Sequence, residues 1–211
     1  MNNNQKQTKF VILVAMFISI QIVMMLIPFL GFIPIFALSI TTLHIPTILA
    51  GILLGVKAGA IVGASFGLMS ITNATIRPIL TSFLFSPFAP APTGFSGNPW
   101  SLVVALLPRV LLGVFAALIY QYIKSKEWKV PAGTIAAVIA TILHTLMVLS
   151  LIFIIFAQPY AAALELSGTQ AVLVALGGVV IFHGIPEAIL AGVLITAFVV
   201  ALEPIVKKMV N

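Results

Sequence analysis

Apolar residues run in long blocks along this chain, and short polar stretches separate the blocks. The blocks cover approximately residues 10–31, 45–56, 58–76, 100–123, 131–157 and 170–205. A helix needs roughly 20 apolar residues to cross the hydrocarbon of a bilayer. The pattern therefore predicts an all-α integral membrane protein with six transmembrane helices, in a single membrane domain over residues 1–211. The second block is short and ends at the turn Gly55-Val56-Lys57-Ala58-Gly59. The sixth exceeds one span, and Pro186 gives it a place to kink. Lys6 and Lys9 before the first block resemble the start of a signal peptide. That block is too long for one and no small-x-small cleavage site follows it, so the helix is expected to be retained.

The polar positions add an orientation. Lys6 and Lys9 precede helix 1, Lys57 sits between helices 2 and 3, Lys124, Lys126 and Lys129 between 4 and 5, and Lys207 and Lys208 follow helix 6. With six spans, all eight lysines fall on one side, and the opposite connectors hold only Arg77. The positive-inside rule then puts both termini in the cytoplasm.

The outer connectors are unusual. Residues 77–99 hold Pro78, Pro87, Pro90, Pro92 and Pro99, which forbid a continuous helix. Phe83, Phe85, Phe88 and Phe95 make the same stretch too apolar for a solvated linker. The connector from Pro28 to His44 is similar, with Ser39, Thr41, Thr42 and His44 interspersed. Long loops without their own structure are commonly lids or binding loops, so both are expected to act as lids.

Composition narrows the functional classes. Of 211 residues 62% are apolar and 7% charged, with a net charge of +6. A soluble domain carries about a quarter charged residues, so a soluble enzyme and a disordered chain are both excluded. The basic residues form no stripe for nucleic acid. There is no cysteine, hence no disulfide or thiolate site, and no aspartate, hence no aspartyl intramembrane protease. His183-x-x-x-Glu187 is not His-Glu-x-x-His, and no phosphate-cradling Gly-x-x-x-x-Gly-Lys-Ser/Thr is present, so no metal, cofactor or catalytic residue is expected in the chain.

Small residues recur at helical spacing: Ala15 and Ser19, Gly51 and Gly55, Gly59, Gly63 and Gly67, and Gly184, Ala188 and Gly192. Such faces let helix backbones approach closely in lipid. They serve packing within the chain, or, on helices 1 and 3 (Ala15, Ser19, Gly59, Gly63), a groove for another subunit. Ionisable residues at depth are costly in a bilayer and need a partner or a cavity. These are Arg109, His144, His183 and Glu187. Two roles are open to Arg109: a structural ion pair with Glu187, or an anion receptor facing a cavity. Asn73 and Arg77 are four apart at the outer end of helix 3, where a guanidinium can grip a carboxylate bidentately. The candidate substrate-binding set is Thr42, His44, Asn73, Arg77, Trp100, Arg109 and His144.

Six short spans, a basic inner side and lid-like outer loops resemble the substrate-binding S component of energy-coupling-factor (ECF) transporters. Leu43-His44-Ile45-Pro46-Thr47-Ile48-Leu49-Ala50-Gly51 is similar to that family's second helix, and Gly59-Ala60-Ile61-Val62-Gly63 to its third. Phe85-Ser86-Pro87-Phe88 and Leu107-Pro108-Arg109-Val110-Leu111 are similar to its third loop and fourth helix. Among the vitamin types the chain looks most like the pantothenate-specific members. The resemblance implies a multi-pass protein of a bacterial cell membrane. It also implies a transmembrane coupling subunit and two cytoplasmic ATPases, which bind the ATP. The family marks the coupling contact with Ala-x-x-x-Ala on helix 1, and here it reads Ala15-x-x-x-Ser19. Competing readings are an S component for another vitamin (folate, riboflavin or a pyrimidine or pyridoxine precursor) and a stand-alone proton-coupled carrier with His183 and Glu187 as relay. The absence of an obvious inverted repeat argues against the carrier.

Overall fold

The computed structural model describes residues 3–27, 30–35, 38–89, 94, 96–126 and 131–210. Helix α1 runs over Asn3–Leu26 and is followed by two short strands, β1 (Phe32–Ile35) and β2 (Leu38–Thr41). Then come α2 (His44–Leu54), α3 (Val56–Ile76), α4 (Pro99–Lys124) and α5 (Ala132–Ala163). The chain ends in α6 (Thr169–Val179) and α7 (Ile185–Val210), joined through a π-helical turn, Val180–Gly184, into one long helix. Among the described residues, five helices are long and apolar enough to cross a membrane, with α6 and α7 counted as one, and α2 is a shorter apolar helix. The protein is an all-α integral membrane protein.

The pattern of exposure explains why so apolar a chain folds this way. Val11, Ile12, Val23, Ile154, Val174, Ile189, Val193 and Val200 all face outward, as lipid-contacting positions do. Buried polar groups, including Gln21, Ser70, Arg109, His144, His183 and Glu187, lie inside. Helix α2 rises only about 16 Å for 11 residues, half a bilayer. It is tolerated because every residue from His44 to Ile52 is buried among other helices and none meets lipid.

The first connector departs from the loop expected there. Phe32–Ile35 and Leu38–Thr41 pair as an antiparallel hairpin, with Phe32 opposite Thr41 and Ile33 opposite Ile40. The β-branched residues Ile33, Ile35, Ile40 and Thr41 suit a pleated strand and have low helix propensity. Pro28, and Phe95 of the second connector, lie outside the described residues, as does Lys129.

Between α3 and α4 the glycines act within the chain. A Cβ on Gly63 would lie 2.2 Å from the Arg109 carbonyl oxygen, and one on Gly59 2.4 Å from that of Gly113. A Cβ on Gly113 would lie 2.1 Å from the Gly59 carbonyl oxygen, and one on Gly51 2.4 Å from that of Gly113. Here α2, α3 and α4 touch backbone to backbone. Gly59 and Gly63 are therefore filled by α4 and are not available to another subunit, which corrects the expectation of a partner groove on helix 3. Ala15 and Ser19 on α1 are exposed, and the Ser19 hydroxyl donates to the Ala15 carbonyl (2.8 Å).

Candidate solute-binding site

Where the polar residues of the bundle gather, the helices enclose a cavity of about 770 Å³, counted out to its open mouth. Its polar lining comes from every side: Ser39 and Thr41 of the hairpin, Ser70, Asn73 and Arg77 of α3, Arg109 of α4, His144 of α5, and His183 and Glu187 from the last helix. Phe32 and Phe85 add apolar wall. On α3 the cavity residues run to Arg77, and exposed Lys57 starts the same helix, about 30 Å away at 1.5 Å per residue. The cavity is thus at the end of the bundle away from Lys57.

Arg109 is held by a local accident of sequence. Pro108 has no N–H, so it cannot donate to the carbonyl of Val104 one turn earlier. The Arg109 Nη1 supplies the missing donor, at 2.7 Å from that oxygen. The guanidinium carbon also lies 5.5 Å from the centroid of Phe66 and 5.1 Å from that of Phe85, both within cation–π range. Arg109 is 6% exposed and its Nε has no hydrogen-bond partner in the chain.

Glu187 is fixed differently. Its Oε1 accepts the backbone N–H of Thr41 at 2.7 Å, which joins α7 to the hairpin. The Thr41 carbonyl meets Nδ1 of His44 at 2.5 Å, so this strand end is gripped on both sides. The direct ion pair between Arg109 and Glu187, one of the two roles open to Arg109, does not form: each polar head has another partner. Ion pairs among the described residues sit at the far end, where Glu203 binds Lys124 and Lys207.

The π turn shapes the third wall. Pro186 has no N–H for the turn before it, and the helix widens there. His183, on that turn, is buried with its Nδ1 unpartnered, and the same holds for Nε2 of His144 and Oγ of Ser70. With Arg109 Nε, these are four buried polar atoms, on residues from four elements around the cavity, with hydrogen-bonding capacity left over. Buried polar groups are nearly always satisfied, so a ligand with several donors and acceptors is what this lining fits.

Of the candidate substrate-binding set, Asn73, Arg77, Arg109 and His144 line the cavity, as do His183 and Glu187, the other ionisable residues at depth. Thr42, His44 and Trp100 do not. The Thr42 hydroxyl is turned to the Leu30 carbonyl, and His44 is folded back onto Thr41 inside the bundle. Trp100 lies within the capping box of Asn98 and Ser101, donates its backbone N–H to Asn98 Oδ1 and is 59% exposed. The second connector closes in from above. Ser82, Phe83 and Leu84 are buried, Ser101 Oγ donates to the Phe83 carbonyl (2.7 Å), and the Thr75 and Ser86 hydroxyls meet at 2.7 Å. Ser70, Ser82 and Thr145 line the cavity without having been anticipated, because hydroxyls inside apolar helices look like ordinary packing.

A membrane bundle with such a cavity defines a membrane protein that holds a small polar solute. The chain belongs to the family of ECF transporter substrate-specific components, whose pattern it matches over residues 9–199. It is therefore a substrate-binding transporter subunit of a multi-pass membrane complex. It is 36% identical over 193 residues to the pantothenic acid transporter PanT of Lactococcus lactis, covering 91% of this chain and 92% of that one. A pantothenate transporter PanT of Leuconostoc mesenteroides is 28% identical over 134 residues, 61% of this chain and 58% of that protein.

Proposed function

We propose that this subunit binds pantothenate from the outer face and delivers it inward with a transmembrane coupling subunit and two cytoplasmic ATPases. The observation that carries the reading is Arg109: a buried guanidinium, braced by its own helix, on a residue that lines a polar cavity. Pantothenate is a small carboxylate with hydroxyl and amide groups. Arg109 receives the carboxylate, and Ser70, His144, His183 and Asn73 face its hydroxyls and amide. Arg77, exposed at the mouth, draws the anion in. The full-length relative named for pantothenic acid supports the choice of vitamin. The lysine distribution supports cytoplasmic termini with the cavity outside. Exposed Ala15 and Ser19 on α1 suit the contact with the coupling subunit.

Purified chain should bind pantothenate in calorimetry and bind neither thiamine nor riboflavin. Uptake into proteoliposomes should require ATP and the added subunits. Preference for a cationic vitamin, or ATP-independent uptake by the chain alone, would overturn the proposal.

A further inference from the structure

Two charged side chains are buried at this cavity, Arg109 and Glu187, at 6% and 7% exposure. Without ligand their charges balance. A carboxylate substrate, the class assigned under the proposed function and on which this step rests, makes the sum uneven: two carboxylates then share one buried guanidinium. Carboxylates that share a site do not both stay ionised, because an uncompensated buried charge costs several kcal/mol. Water at the mouth screens Arg77, which does not restore the balance inside.

The charged or titratable groups that line the cavity with Glu187 are Arg77 at the end of α3, Arg109 of α4, His144 of α5 and His183 of the π turn, and His44 of α2 lies behind Thr41; Lys57, Tyr120, Tyr122, Lys124 and Tyr160 on those helices, and Glu203, Lys207 and Lys208 further along α7, do not line it. Helix α1 contributes only Lys6 and Lys9, near its opposite end. His144 is a poor proton acceptor by position. Its ring is 6.1 Å from Phe66, and the Arg109 guanidinium is 5.5 Å from the same phenyl, so a proton there would set two cations about one ring. His44 already uses Nδ1 on Thr41 and does not line the cavity. Glu187 is better arranged. Oε1 is occupied by the Thr41 N–H, which a protonated carboxyl still accepts, and Oε2 is left to take the proton.

We propose that Glu187 is the residue that fits the cavity to an anion, by taking up one proton as the carboxylate binds. The step forms one O–H bond on Glu187 with a proton from solvent, and nothing is oxidised or reduced. The cargo that fills the cavity is then an anion plus a proton, and the acquired O–H becomes a donor toward the ligand.

The test is titration calorimetry of pantothenate into the full chain in phosphate and in Tris, from pH 6 to pH 8. The two buffers differ in ionisation enthalpy, so their difference counts protons. The expected result is uptake of about one proton, with Kd rising about tenfold per pH unit wherever Glu187 is ionised in the free protein. Pantothenol, in which CH2OH replaces the carboxylate, should bind without uptake and without that slope. In Glu187→Gln, which keeps an acceptor for Thr41, pantothenate binding should become independent of pH. Equal enthalpies in both buffers for pantothenate would overturn the inference. So would uptake that persists in Glu187→Gln and vanishes in His183→Asn or His144→Asn. Should Glu187→Gln fail to fold, equal pH slopes for pantothenate and pantothenol on the unaltered chain would overturn it alone. Binding of pantothenate without a proton leaves the vitamin assignment standing, whereas no binding at any pH removes that assignment and this inference with it.

Discussion

Arg109→Met separates a binding arginine from a structural one. The change keeps most of the apolar stem and removes the guanidinium. On the stability side it deletes a charged hydrogen bond to Val104, worth about 1.5–3 kcal/mol, and two cation–π contacts of about 0.5–2 kcal/mol each. Against these stands the release of a buried charge, whose effective burial penalty is itself several kcal/mol. The two sides nearly cancel, so the melting temperature should move by only a few degrees. Binding has no such compensation. Losing a charged hydrogen bond to the substrate carboxylate costs about 1.5–3 kcal/mol, or roughly 10- to 150-fold in Kd. Pantothenol, which brings no carboxylate, should lose far less. Arg109→Lys should not fully restore affinity, because an ammonium lacks the planar fork. Arg77→Ala should weaken binding less than fivefold, since an exposed charge contributes about 1 kcal/mol or less. Melting curves and calorimetry on the four proteins decide the matter. If Arg109→Met melts far lower yet binds pantothenate normally, Arg109 is a structural residue and the reasoning fails. A larger loss in Arg77→Ala than in Arg109→Met would reverse the two roles.

Gly63→Ala should destabilise the chain by about 1–3 kcal/mol or prevent folding, because its Cβ would lie 2.2 Å from a backbone oxygen that cannot move aside, and a thermal melt checks this. Ala15→Trp or Ser19→Trp should abolish ATP-driven uptake while leaving pantothenate affinity unchanged, since bulk blocks close helix approach, and uptake that survives would place the coupling contact elsewhere. Cysteines at Ser96 and Ser125, both exposed, should react with impermeant maleimide from outside and inside respectively, and labelling of both from one side would reverse the topology proposed.

Much of this was legible in the sequence for a simple reason: lipid punishes polar groups. An ionisable residue within an apolar block has to be inward, so the sequence puts Arg109 and His144 inside the bundle, although for Arg109 it leaves a cavity and an ion pair equally open. Helix faces were harder. Gly59 and Gly63 read equally well as a surface groove or an internal seam, and only the position of α4 decides. Thr42, His44 and Trp100 sit in or beside connectors, where no periodicity tells which way a side chain turns. The hairpin was hidden because its strands are short and lie in a stretch already apolar enough to pass for a lid. The signal for the setting of Arg109 was present but unused: a proline immediately before an arginine leaves a carbonyl one turn back for the side chain to find. Of the two roles open to Arg109, the pair with Glu187 is pre-empted by a backbone N–H, that of Thr41, which the sequence gives no means of placing.

The seam where Gly51, Gly59 and Gly113 meet has a mechanical consequence for transport. It lies between the cavity and the Lys57 end of α3, and there α2, α3 and α4 meet main chain to main chain. A gate made of side chains opens when a rotamer flips, on a timescale of nanoseconds. A barrier made of peptide groups has no rotamer to flip. This seam therefore cannot be opened by local side-chain fluctuation. It parts only if whole helices separate, and that motion is large enough to need an outside source of work.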